Sequence, residues 1–125
     1  VMNMLRLKGV GIEAGLATVA DAERFVALAD HPKVFRILIE IEEQELEAAV
    51  AVADGIAAVL SRAGATRSIL LHGFDATVWD FVRLARKRNW SARIGLEDSR
   101  DMPDRSLAPD NAALVAEAVA IYRRG

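Results

Sequence analysis

The chain has 125 residues, of which 53% are hydrophobic and 27% charged. That is enough apolar material for one ordinary domain with a core, and it is not the composition of a disordered segment. A formal net charge of −2 gives no basic surplus for nucleic acid or an anionic membrane surface, and the absence of cysteine removes disulfides and thiolate metal sites.

No apolar run approaches the ~20 residues that cross a bilayer. A cytoplasmic location and small-molecule partners are therefore expected. The opening Val1-Met-Asn-Met-Leu5 is too short and polar for a secretory signal. It reads as a start inside a larger protein.

In chain order, the first apolar run predicts a strand over 10–14, ending at Gly15. Thr18 and Asp21 form a capping-box pair that opens a helix over 19–29, with Ala22, Phe25, Val26 and Ala29 on one stripe. A second strand is predicted over 35–41. The acidic group Glu40, Glu42, Glu43, Glu45 and Glu47 follows, mostly as a solvated helix start where negative charge suits the dipole. The next helix covers 46–63, with Val50, Ala53, Ala57 and Leu60 on one face and Gly64 where a C-terminal cap glycine belongs.

A third strand covers 68–72 and ends at Gly73. A helix over 77–88 carries Val78, Phe81, Val82 and Ala85, with Asp75 as its cap and Asn89 as its stop. The fourth run, 92–96, ends in Glu97 and Asp98. A long loop over 99–109 holds Pro103 and Pro109. Asp110 then caps a helix over 111–123, where Arg123 and Arg124 suit the negative end of the dipole.

The order βαβαβαβα, with near-continuous apolar strands, predicts an α/β fold with a parallel sheet and right-handed crossovers in one domain over 1–125. Polar residues recur where strands end: Glu13, Glu40 and Glu42, His72, then Glu97 and Asp98. Polar groups at the carboxyl ends of buried parallel strands mark the active face of a (β/α)8 barrel. Four strands cannot close a barrel. The expectation is therefore its C-terminal half, four βα units, either as a fragment or as one partner in a dimer that completes the ring. A small open α/β sheet is the competing architecture.

Adjacent acids after an apolar run are costly unless used. One carboxylate can hold a metal while its neighbour moves a proton. Strand residues alternate faces, so the chain must turn at Glu97 for both acids to enter one site. A solvated acidic loop is the alternative.

Arg93, on the same strand, would hold Asp98 ionised by charge attraction. His72 reads more readily as a structural strand-end histidine than as a site residue, and His31 as a surface loop residue. Glu40 has the strand-end position for a site. Arg83, Arg86, Lys87 and Arg88 form a basic helix face that suits solvent better than a phosphate-bearing cofactor. Trp79 and Trp90 read as packing residues. The GIEAG run from Gly11 lacks the glycine spacing of a nucleotide-phosphate loop.

The run ARIGLEDS from Ala92 to Ser99, with Pro103, Ala108-Pro-Asp-Asn111 and Ala113-Leu-Val115, resembles the C-terminal part of the β-keto acid cleavage enzymes of the 3-keto-5-aminohexanoate type. Gly11 to Leu16, Thr18 to Ala22, and Leu71-His-Gly73 are similar to that family too. The resemblance implies a (β/α)8 barrel that uses zinc and acetyl-CoA to convert a β-keto acid to acetoacetate and a new acyl-CoA. By the same resemblance, Glu97 would be the carboxylate zinc ligand, Asp98 the catalytic acid/base, Arg93 its charged partner, and Glu13 the contact for the substrate's distal group.

The family also draws two zinc ligands from a His-X-His motif in the first half of its barrel. Here the histidines are His31 and His72, far apart. Catalytic zinc takes three protein ligands, so the remaining ligands are expected from a complementary half-barrel or oligomer partner. A non-catalytic half-barrel that assembles through its sheet edges, and another metal-dependent barrel lyase or aldolase, are the alternatives.

Overall fold

A computed structural model describes residues 8–124. The opening pentapeptide lies outside the described residues. Four strands form one parallel sheet in sequence order: β1 (Glu13–Leu16), β2 (Arg36–Ile41), β3 (Ile69–Gly73) and β4 (Ser91–Ala92). The helices are α1 (Val19–Val26), α2 (Leu46–Arg62), α3 (Val78–Lys87) and α4 (Asn111–Arg124). Short 3-10 turns precede β2 (His31–Lys33) and α3 (Asp75–Thr77).

The two faces of the sheet differ. Leu16, Ile37, Ile39, Ile41 and Leu71 belong to the core with Phe25, Ala49, Ala53, Ile56 and Phe81 of the helices. By strand alternation, the other face carries Glu13 and Gly15, then Arg36, Leu38 and Glu40, then Leu70 and His72, and then Ser91. Helices on one face only is what right-handed crossovers produce in a sheet whose strands follow sequence order. A second cluster joins Val78, Trp79 and Val82 of α3 to Leu114 and Ile121 of α4, with Ala108 of the preceding loop.

Local signals account for most of the boundaries. The Asp21 amide donates to Thr18 Oγ1 over 3.0 Å, and Asp21 Oδ2 accepts from the Thr18 amide over 3.1 Å, closing the capping box. Glu45 caps α2 through the amides of Glu47 and Ala48. Asp110 Oδ1 accepts from the Ala113 amide at the start of α4. Gly64, at φ +68°, and Asn89, at φ +59°, end α2 and α3 in the left-handed region. Trp79 and Trp90 pack against the apolar clusters, as read from the sequence.

Several expectations are corrected. β1 spans Glu13–Leu16 rather than 10–14, so Gly15 lies inside the strand and Glu13 opens it. The register decides this: Glu13 stands opposite Arg36, the first residue of β2, and the two side chains form an ion pair. A Cβ at Gly15 would lie 3.0 Å from Glu40 Oε1, so the Glu40 side chain would have to shift slightly to admit one. β4 is only Ser91–Ala92, not 92–96, because the ladder with β3 stops at Leu71 opposite Ala92. α1 ends at Val26 instead of 29.

Asp75 does not cap α3. It sits at φ +46° at the start of the 3-10 turn, where Thr77 Oγ1 instead accepts from the Phe74 amide and donates to its carbonyl. His31 is half-buried in a 3-10 turn, with its ring edge-on to Phe25 at 5.6 Å, rather than being a surface loop residue.

Candidate active site

β3 ends in His72 and Gly73, and β4 is followed by a turn that carries Glu97 and Asp98. Backbone hydrogen bonds shape that turn: the amides of Asp98 and Ser99 donate to the Gly95 carbonyl over 3.0 and 3.3 Å. The Leu96 amide donates to Asn111 Oδ1 over 2.8 Å, tying the turn to the first residue of α4. Asp98 O accepts from the Asp75 amide over 2.8 Å, tying it also to the segment after β3.

The turn separates the two acids. The Asp98 side chain is 1% exposed and its Oδ1 lies 2.8 Å from His72 Nε2, in an imidazole that is fully buried. Arg93 Nη2 reaches the same oxygen at 3.5 Å from a side chain that remains 44% exposed. The His72–Asp98 approach has hydrogen-bonding distance without hydrogen-bonding angles. Among the described residues, His72 Nδ1 and Nε2 and both Asp98 carboxylate oxygens have no hydrogen-bond partner. Phe74 packs its ring edge-on to His72, with centroids 4.5 Å apart.

Glu97 is exposed, and its carboxylate folds back beside Gly95. Turning at Glu97 therefore does not bring both carboxylates together: one enters the protein and the other faces solvent. Glu13 is corrected too. Its strand-end placement fails, because it lies at the amino end of β1, paired with Arg36, while His72 and Asp98 lie at the carboxyl ends of β3 and β4. Glu40 stands in register with His72 on the same face.

His72 is a buried strand-end residue, as its place in the sequence suggests, and its ring lies beside Asp98. The available signal was its place as the last side chain of an apolar strand, two βα steps from the end, but nothing in the sequence revealed Asp98 as its neighbour. The basic face of α3 is mostly engaged. Arg86 Nε donates to the Tyr122 carbonyl, Arg88 pairs with Asp54, and Arg83 lies 3.6 Å from Asp80.

Two recesses lie on neighbouring surfaces, and neither is lined by His72 or Asp98. One, of about 530 Å³, lies between the start of α3 and the loop after Asp98, and is lined by Asp75, Trp79, Arg83, Ser99, Asp101 and Arg105 among others. A larger, mainly apolar one of about 670 Å³ runs along the outer edge of β4 and the flank of α4, past Arg93, Ile94, Val115, Val119 and Tyr122. The larger space thus marks the unpaired sheet edge, not the acid–histidine pair.

A parallel βα sheet with a buried carboxylate, an imidazole and a guanidinium gathered at its strand carboxyl ends has the layout of an α/β enzyme site. The comparison with protein families narrows this class. Residues 18–124 match the model for the beta-keto acid cleavage enzymes, and the chain belongs to that family. Glu13 lies outside the matched stretch, whereas Arg93, Glu97 and Asp98 lie within it. No curated protein matches the chain. No helix among the described residues is long and apolar enough to cross a membrane.

Proposed function

We propose that the chain forms the C-terminal half of a (β/α)8 barrel that cleaves a β-keto acid with acetyl-CoA as co-substrate, giving acetoacetate and a new acyl-CoA. The observation that carries this reading is the buried Asp98 with Arg93 beside it, in a member of the β-keto acid cleavage family. Four strands in sequence order with helices on one face are consistent with half of such a ring. Exposed Val115 and Val119 beside the edge of β4 suit a neighbouring βα unit from further chain, a complementary half or a second copy.

The chemistry fits the residues. Cleaving a carbon–carbon bond beside a ketone requires a proton to be removed from carbon, and negative charge then develops on the carbonyl oxygen. The Asp98 carboxylate accepts that proton and later returns it. Arg93 balances the aspartate charge and, with its half-exposed guanidinium, meets the substrate carboxylate.

The family resemblance implies zinc, which would supply Lewis-acid stabilisation of the developing charge. The described residues do not make that site by themselves. Among the described residues no three metal-binding side chains converge, Glu97 is exposed, and His72 faces Asp98. Zinc binding through Glu97 therefore needs ligands from outside residues 8–124.

The test is incubation of the purified protein with acetyl-CoA and a panel of β-keto acids, with acyl-CoA products read by mass spectrometry and metal content measured on the same sample. Acetoacetate and a new acyl-CoA formed by the wild type and lost in Asp98→Asn is the expected result. Equal turnover in the two proteins overturns the reading.

A further inference from the structure

Resting on the reading of Asp98 as the proton mover, we propose that Gln44 is a positioning residue for it: the Gln44 carboxamide fixes the Phe74–Asp75 peptide, and the amide of that peptide fixes the backbone of Asp98. Three consecutive loops meet here, each leaving the carboxyl end of a strand. Gln44 follows β2, Phe74 and Asp75 follow β3, and Asp98 lies in the turn after β4.

Every link is a hydrogen bond. Gln44 Nε2 donates to the Phe74 carbonyl over 3.0 Å and to the Glu42 carbonyl over 3.2 Å. Gln44 Oε1 accepts from the Ala76 amide over 3.0 Å. A carbonyl on one side and an N–H on the other admit one orientation of the carboxamide. The Asp75 amide donates to the Asp98 carbonyl over 2.8 Å. The Phe74 carbonyl and the Asp75 amide belong to one peptide group. Gln44 and Asp98 are therefore joined through it in a chain of hydrogen bonds that strengthen one another.

Asp75 sits between these bonds at φ +46°. A non-glycine residue in that region is strained, and it keeps its conformation only where its surroundings impose it. Gln44 bonds the peptide on each side of Asp75. Without those bonds the 74–75 peptide is free to turn, and its N–H leaves Asp98. Gln44 is exposed, so water can replace its bonds at little cost in stability. Water does not hold two peptides at one angle, and that is what the carboxamide adds. Glu45, next in the chain, caps α2 through the amides of Glu47 and Ala48, which anchors the backbone from which Gln44 reaches.

The experiment uses the full chain with two variants. Gln44→Met keeps the side-chain length and removes all three bonds. Gln44→Glu keeps an acceptor for the Ala76 amide and removes the donor to Phe74. Asp98→Asn serves as reference. Hydrogen exchange at the Asp75 and Ala76 amides is read by NMR, and kcat and KM for the β-keto acid are measured per folded molecule.

In Gln44→Met, exchange at Asp75 is expected to rise ~3–10-fold, the effect of losing one hydrogen bond. Its kcat falls ~10–100-fold with KM little changed, as follows when a reacting group is misplaced. In Gln44→Glu the Ala76 amide stays protected, while Asp75 exchange and kcat follow Gln44→Met. A role in stability alone would leave kcat per folded molecule at the wild-type value. Wild-type kcat in either Gln44 variant, or unchanged Asp75 exchange in Gln44→Met, overturns the proposal while Asp98→Asn is inactive. Undiminished turnover in Asp98→Asn overturns the functional reading, and the positioning role falls with it.

Discussion

The amide of Asp75 donates to the carbonyl of Asp98 over 2.8 Å, joining the segment after β3 to the turn after β4. The strand ladder between β3 and β4 has already ended at Leu71 and Ala92, so this bond continues the connection beyond the sheet. The backbone of Asp98 is thus held from two sides, by Asp75 and by Gly95, before its side chain meets His72. For the proton-moving role proposed for Asp98, such a fixed approach is what orientation requires.

Asp98→Asn removes the carboxylate proposed as the proton acceptor while keeping the size of the side chain. In the complete barrel it is expected to lower turnover by ~10²–10⁴-fold with an unchanged circular dichroism spectrum. Glu97→Gln tests the zinc reading: turnover and zinc content are expected to fall together, again without unfolding. Unchanged turnover in both variants rejects the assignment of this pair of acids.

Gly73→Ala is expected to destabilise the fold by ~1–3 kcal/mol, the usual cost of overpacking. A Cβ at this position would lie 2.5 Å from Thr77 Oγ1 and 3.1 Å from the Phe81 ring. Thr77 holds the backbone of Phe74, so the strain falls on the turn that supports the ring beside His72. Urea unfolding of the variant and the wild type measures the difference. Equal midpoints would mean that the turn relaxes freely.

Burial raises the Tyr122 phenol above its ordinary pKa, with the Arg86 charge opposing in part. Its Oη donates to the Trp90 carbonyl over 2.8 Å. A folded state that keeps its proton to higher pH than the unfolded chain loses stability as pH rises past the unfolded value of ~10. Tyr122→Phe is expected to cost ~0.5–1.5 kcal/mol at neutral pH through the lost hydrogen bond. It also removes this residue's share of the alkaline loss. Thermal melts from pH 8 to 11 compare the two proteins, and parallel curves would reject the assignment.

At the acid end, the Ala17 amide lowers the Asp21 carboxyl pKa; burial opposes this, and Arg24 and Thr18 add to the lowering. Its folded pKa lies below the unfolded one, so its stabilising effect is present above about pH 4 and lost as pH falls through the folded value. Asp21→Asn is expected to lower the melting temperature at pH 7 and to flatten its decline below pH 4. Thr18→Ala, which breaks the other half of the capping box, is expected to cost ~1 kcal/mol and to remove only the Thr18 side chain's share of that pH dependence.

Much of the fold was legible in the residues. Thr18 with Asp21, Asp110, Gly64 and Asn89 are local signals, read by the backbone within a few residues, and each acts where the sequence places it. The strand edges were less legible. β1 begins at Glu13 because Arg36 stands opposite it, and β4 stops at Ala92, where its ladder with β3 ends although β3 runs on to Gly73. The site was legible in part. Arg93, Glu97 and Asp98 are one local run, but Glu13 was assigned to the wrong end of its strand, and His72 could not be matched with an acid 26 positions away.

The sequence by itself determined the alternation of strand and helix, the caps, and the presence of Arg93, Glu97 and Asp98 together. These follow from side-chain period and local hydrogen bonding, which need no distant partner. Only the tertiary structure decided which acid is buried, which histidine meets it, and that Glu97 and Asp98 face different surroundings. Those outcomes depend on strand register and on the turn anchored by Asp75, Gly95 and Asn111, contacts between segments whose separation along the chain carries no information about their distance in space.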